Sequence, residues 1–168
     1  MIALKRIYVM DFKDGSVIES VGPDVVRKFE SDYNVKLPAK YVEFLNYGNC
    51  GIPINENTFL CNDRERMIER FLCISDKYDG EPLKEVYDIG VVESQIGERL
   101  TDRTDTVGMD VVPIAALFGG DFVCLDYRGS KDNPKVVVWD HEQSDEFAPA
   151  TEVVANSFDE FLELLKRH

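Results

Sequence analysis

From Val112 to Glu142 the apolar residues come in unbroken runs. Val112-Pro113-Ile114-Ala115 leads through Gly119-Gly120-Asp121 into Phe122-Val123-Cys124-Leu125. After a polar loop from Asp126 to Pro134 comes Lys135-Val136-Val137-Val138-Trp139, which stops at Asp140-His141-Glu142. A strand with one wet face alternates apolar and polar positions, so runs without alternation predict strands covered on both faces. The short connection makes the last two antiparallel neighbours. Thr58 to Cys61 and Met67 to Ile74 are further predicted strands, Val153-Val154-Ala155 is an expected edge strand, and Ile7 to Met10 is a short candidate before a turn at Lys13-Asp14-Gly15.

Elsewhere the apolar period is helical. Gly22-Pro23-Asp24 sets proline and an acid in a first turn, Val25, Val26, Phe29 and Tyr33 follow at helical spacing, and Asn34 is a left-handed stop. Leu37-Pro38 opens a second helix with Tyr41, Phe44, Leu45 and Gly48 on one stripe, ahead of a tight loop from Tyr47 to Pro53. A third helix either starts at Asp88 and carries Ile89, Val92, Ile96 and Leu100, or starts at Leu83 and uses Val86, Tyr87 and Val91. Ser157 and Glu160 form a capping box for a last helix with Phe158, Phe161, Leu162 and Leu165 inward and Lys166 and Arg167 at its end. Helices and strands do not alternate regularly. The expected fold is therefore α+β, one domain over residues 1–168, with a mostly antiparallel sheet covered by about four helices.

Composition narrows the function classes. The 168 residues are 44% hydrophobic, enough for a packed core. No apolar run approaches the ~20 residues of a membrane helix, and the first residues do not read as a secretory signal, so a cytoplasmic protein is expected. Cys50, Cys61, Cys73 and Cys124 form no C-x-x-C pair, and Cys73 and Cys124 are expected as reduced, buried thiols. Thirty-two acidic residues against nineteen basic give a net charge of −13. That excludes a phosphate-backbone binder and favours a cationic partner met by long-range attraction.

Four signals in this order resemble the SUKH superfamily, named partly for a fungal cell-wall assembly regulator. They are Leu37-Pro38 leading to Tyr41, Phe44 and Leu45; the turn from Gly48 to Gly51; Val112 to Ala115 followed by Gly119-Gly120-Asp121 and Cys124-Leu125-Asp126; and Val138-Trp139-Asp140-His141-Glu142 ahead of Ser157-Phe158. The resemblance spans about residues 22 to 166. It implies an α+β fold and, in bacteria, an immunity protein that neutralises a toxin, often a nuclease. In fungi it implies a scaffold for wall-building and signalling partners.

Catalytic and metal chemistry find little support. Only His141 and His168 are available, a zinc site needs about four ligands at close spacing, and no calcium loop is present. Gly119-Gly120-Asp121 lacks the pattern and the basic residue of a phosphate cradle and is expected as a turn between strands. Asp140 and His141, as strand neighbours, would point to opposite faces and fail to act together. Trp139 is expected in the core. No catalytic residue, metal or cofactor is assigned.

The acidic positions suggest binding. Asp121, Asp126, Asp140, Glu142, Asp145 and Glu146 lie at strand ends or in loops. Antiparallel pairing would bring Asp121, Asp140 and Glu142 to one rim. With His141, and with Tyr47 and Asn49 on the tight loop, they form the expected partner-binding surface. The expected partner is a cognate toxin, a basic nuclease domain whose active site is covered. No direct contact with nucleic acid or membrane is expected, and the protein itself would be a monomer or weak homodimer. A regulatory scaffold for endogenous proteins is the alternative, and an enzyme ranks last.

Overall fold

A computed structural model describes residues 10–76, 79–105 and 109–167. Two helices open it. Helix α1, Pro23–Tyr33, has proline in its first turn and ends on Asn34, whose φ of 52° is the left-handed stop read from the sequence. Helix α2, Ala39–Gly48, buries Tyr41, Phe44, Leu45 and Gly48, the predicted stripe. A Cβ on Gly48 would lie 2.5 Å from the nearest carbon of the Phe44 ring, so the ring can lie across the helix only because that position is glycine.

The sheet follows. Strands β1, Glu56–Cys61, and β2, Arg64–Phe71, form a hairpin. Its two turn residues, Asn62 and Asp63, both have positive φ, which short polar side chains tolerate and tight hairpin turns require. The expected strand at Met67 therefore starts three residues earlier. It also ends earlier: Leu72 still bonds Ile114, but Cys73 bridges Asp88 instead of a strand. Helices α3, Pro82–Tyr87, and α4, Ile89–Ile96, come next, with a single turn of 3-10 helix at Gly97–Arg99. Both candidate starts for a third helix are thus real: Asp88 is extended between the two, ending one and capping the other. Strands β3, Val111–Leu117, β4, Phe122–Asp126, and β5, Lys135–Trp139, are the unbroken apolar runs. Strand β6, Thr151–Ala155, helix α5, Phe158–Leu164, and strand β7, Lys166–Arg167, complete the chain.

All strand pairs are antiparallel, in the order β6-β5-β4-β3-β2-β1-β7. The α+β class and the mostly antiparallel sheet hold, with five α-helices among the described residues in place of about four. β4 and β5 are adjacent as predicted, and their central residues are buried on both faces. On one face, Phe44 of α2 packs on Phe71 of β2, and Phe161 of α5 packs on Phe59 of β1. Tyr41 and Phe158 tie those two helices together. On the other face, Trp139 lies beside Phe122, donates its indole N–H to the Arg99 carbonyl at 2.9 Å, and carries the Arg99 guanidinium on its ring. Bulges interrupt the β2–β3, β3–β4 and β5–β6 ladders. Bulges increase twist, and the sheet curls until Cys61 of β1 donates to the Glu152 carboxylate of β6 at 3.4 Å. Burial and that carboxylate push the Cys61 thiol up to about 11.

Two further expectations are revised, and one lies outside the described residues. Lys166 and Arg167 do not extend the last helix; they pair with β1 as an edge strand. The candidate strand at Ile7 falls outside the described residues up to Met10, which is buried but not in a strand. Cys73 is not a free thiol. It is joined to Cys50 in a disulfide, because the loop after α2 and the segment after β2 meet at a Cα–Cα distance of 4.5 Å. That proximity depends on contacts 23 residues apart and leaves no trace in cysteine spacing. Cysteine usage therefore does not argue for a reducing compartment. Cys124 is free and fully buried, as expected. Among the described residues no helix is long and apolar enough to cross a membrane.

Candidate functional site

The β3–β4 turn and the end of β5 meet at one rim because Phe122 pairs with Trp139. Gly119 and Gly120 take φ values near +100°, which turn the chain tightly enough to bring Asp121 back against β2. Asp121 is buried. One oxygen accepts from Arg66 at 2.5 Å, and the other accepts the His141 backbone N–H at 2.9 Å and lies 2.6 Å from the His141 ring. Burial alone would raise this carboxyl, but the His141 backbone, Arg66 and the His141 ring together hold it below the usual carboxylate range.

Asp126 is at the opposite end of β4, as the pairing predicts. It grips Arg128 with both oxygens, at 3.0 and 2.9 Å. The surface expected to be a row of free carboxylates is therefore altered at two positions. Asp121 and Asp126 have their charge matched internally and hold loops in place.

The strand stops at Asp140 as expected, but Asp140 and His141 are not the strand neighbours that the opposite-face expectation required. β5 ends at Trp139, so they lie in a turn and not on opposite faces of a strand. Asp140 accepts the backbone N–H groups of Glu142 and Gln143, both at 2.9 Å. Ligand atoms of Asp121, Asp140 and His141 come within 4.8 Å of one another. This cluster does not fit a cation: both Asp121 oxygens are engaged, and Arg66 already supplies the positive charge that a metal would bring. His141 is half-exposed beside it.

Asn49 is the clearest correction. It is 1% exposed; its amide donates to the Glu19 and Ile74 carbonyls and accepts from the Ile74 N–H. It is a buried brace for the loop and cannot touch a partner. Tyr47 remains at the surface, its ring against Phe12 and Phe44.

Glu142, Asp145 and Glu146 are exposed. The segment they occupy is clamped from beneath. Arg99 donates to the His141 carbonyl and, at 2.9 Å, to that of Ser144. Phe147 donates its N–H to the Glu98 carbonyl at 2.7 Å. Between this turn and α4 lies an open cavity of about 460 Å³, lined by Glu93, Glu98 and Glu146 with Ile96 and Phe147. The sequence reading missed Glu93 and Glu98. Glu98 carried a signal of position, lying off the stripe of Ile89, Val92 and Ile96; Glu93, four residues from Ile89 and three from Ile96, borders that stripe and carried none.

A SUKH family model, described as SMI1-KNR4 cell-wall, matches residues 24–162. The chain belongs to the SMI1-KNR4 family. The chain is also similar to the SPbeta prophage-derived uncharacterized protein YokK of Bacillus subtilis (strain 168). That protein is 26% identical over 147 residues, which cover 82% of this chain and 70% of that protein. The SMI1-KNR4 match includes α1, the sheet from β1 to β6 and most of α5, and so takes in the rim, the clamp and the cavity.

Proposed function

We propose that this SMI1-KNR4 protein is a non-enzymatic immunity protein that binds a cognate toxin and covers its active site. A basic nuclease domain is the partner that best fits the charge. Family membership and a prophage-derived relative support the reading. The observation that carries it is the placing of Glu146 beside Glu93 and Glu98, on a turn that also bears Glu142 and Asp145 and is clamped by Arg99. Carboxylates held in fixed positions can meet Lys or Arg side chains without a large ordering cost, and a net charge of −13 draws such a partner in.

The family's cell-wall description favours a second reading, a scaffold for endogenous proteins. Co-purification from the native cell at about 0.05 M and 0.3 M salt, followed by co-expression, separates them. The immunity reading expects a basic protein, retained more strongly at low salt, that arrests growth alone and not when co-expressed with this chain. Recovery of only non-toxic endogenous proteins would sink it.

A further inference from the structure

The sheet presents apolar side chains that its own helices do not bury. Thr58 stands opposite Met67 and Leu60 opposite Glu65, so Leu60, Glu65 and Met67 share one face of the β1–β2 hairpin. Followed through the ladders, this is the face of Phe122 and Trp139. The 3-10 turn at Gly97–Arg99 covers Trp139, but Leu60 is 50% exposed, Met67 39% and Phe118 59%. They are contiguous: Phe118 donates its N–H to the Met67 carbonyl at 3.1 Å, and Leu60 is diagonal to Met67 across the hairpin.

Phe118 sits on a braced stretch of backbone. It heads the Gly119-Gly120 turn, closed by Leu117 N–H to the Asp121 carbonyl at 2.9 Å, and Asp121 is pinned by Arg66 and His141. The His141 ring lies against Gly120. Acids border the apolar group on two sides: Glu65 on the hairpin face, and Glu142 next to His141. An aromatic on a braced turn and a methionine on an exposed face, rimmed by carboxylates, make up the composition of an interface centre.

We propose that Phe118, Met67 and Leu60 are the apolar anchor of the partner-binding surface, and that the partner offers an apolar pocket bordered by Lys or Arg. This deepens the protein-binding reading and rests on it. A second copy of the chain does not fit. Each copy carries a charge of −13, and a two-fold contact would set acidic rim against acidic rim.

The test compares the full-length chain, the double variant Phe118→Ser, Met67→Ser, and Val86→Ser, which alters an exposed apolar residue on α3. The basic protein retained from native-cell extract by the unaltered chain is purified and titrated calorimetrically against each, with circular dichroism melts confirming that each is folded. Expected is a loss of at least ~30-fold in affinity for the double variant and less than ~3-fold for Val86→Ser, as a central aromatic anchor implies. Phe118→Leu, which keeps an apolar group, should lose less. Equal affinity of the double variant overturns this surface while leaving the protein-binding reading intact. Retention of no basic protein removes both. A dimer of the unaltered chain that the double variant abolishes, seen by sedimentation velocity, reassigns the patch to self-association and also overturns the proposal.

Discussion

At the scale of single residues, Asp121 does two jobs with one carboxylate. It neutralises Arg66 on β2 and seats the backbone of His141 after β5. Replacing it by Asn leaves Arg66 half-buried without a counter-charge. The expected cost is about 2–3 kcal/mol by urea denaturation at pH 7. Because its folded pKa is depressed, its contribution is present above the unfolded value near 4 and lost as pH falls through the lower folded value. The unaltered protein should therefore lose its advantage over Asp121→Asn as pH drops below about 4. A constant difference from pH 7 to pH 3 would show that the carboxylate's charge is not what matters. Asn49 teaches a related point. In the sequence it sits in a run of turn formers, where a surface role is the ordinary reading, yet burial by Glu19 and Ile74 makes it structural.

At the scale of elements, α4 depends on its cap. Asp88 accepts the Gly90 and Val91 N–H groups, at 2.8 and 3.3 Å. Burial nevertheless raises its pKa above the usual carboxylate value, outweighing those two bonds. Asp88→Ala should cost ~1 kcal/mol, whereas Asp88→Asn keeps an acceptor without the buried charge and should be close to neutral at pH 7. Raised pKa values favour folding at low pH. The unaltered protein should therefore gain on Asp88→Asn as pH falls towards 4, and a trend in the opposite direction in paired urea titrations would refute the assignment. The Cys50–Cys73 bond joins the loop after α2 to the segment before α3 across 23 residues. Loop-closure entropy alone gives such a link about 3 kcal/mol. Reducing agent should lower the urea midpoint of the unaltered protein accordingly and leave Cys50→Ser, Cys73→Ser unchanged; equal midpoints with and without reductant would show that the link carries no stability.

At the scale of the whole molecule, curvature and charge act together. The sheet closes far enough for β1 to meet β6, and α2 and α5 fill the enclosed face with Tyr41, Phe44, Phe158 and Phe161. The opposite face is only partly covered, and the acidic turn and the exposed hairpin residues border it. A net charge of −13 acts over a Debye length, so association with a basic partner should slow about tenfold or more between 0.02 and 0.3 M salt. Stopped-flow measurements on the identified partner would show this; an on-rate indifferent to salt would remove electrostatic steering from the proposed mechanism.

Local order was legible from the residues alone. Asn34 as a stop, the stripe of α2, the Ser157 cap before Phe158 and the doubly covered strands β4 and β5 all follow from period, caps and alternation, which act within a few residues. So did the convergence of Asp121 and Asp140, since antiparallel pairing of neighbouring strands has one geometry. Tertiary structure decided the rest. Whether an acid is a free charge or an ion pair depends on which distant residue arrives beside it, as Arg66 does for Asp121 and Arg128 for Asp126. Which cysteine meets which, and which apolar residues stay uncovered, likewise depend on how elements far apart in the chain pack, and no local pattern records that.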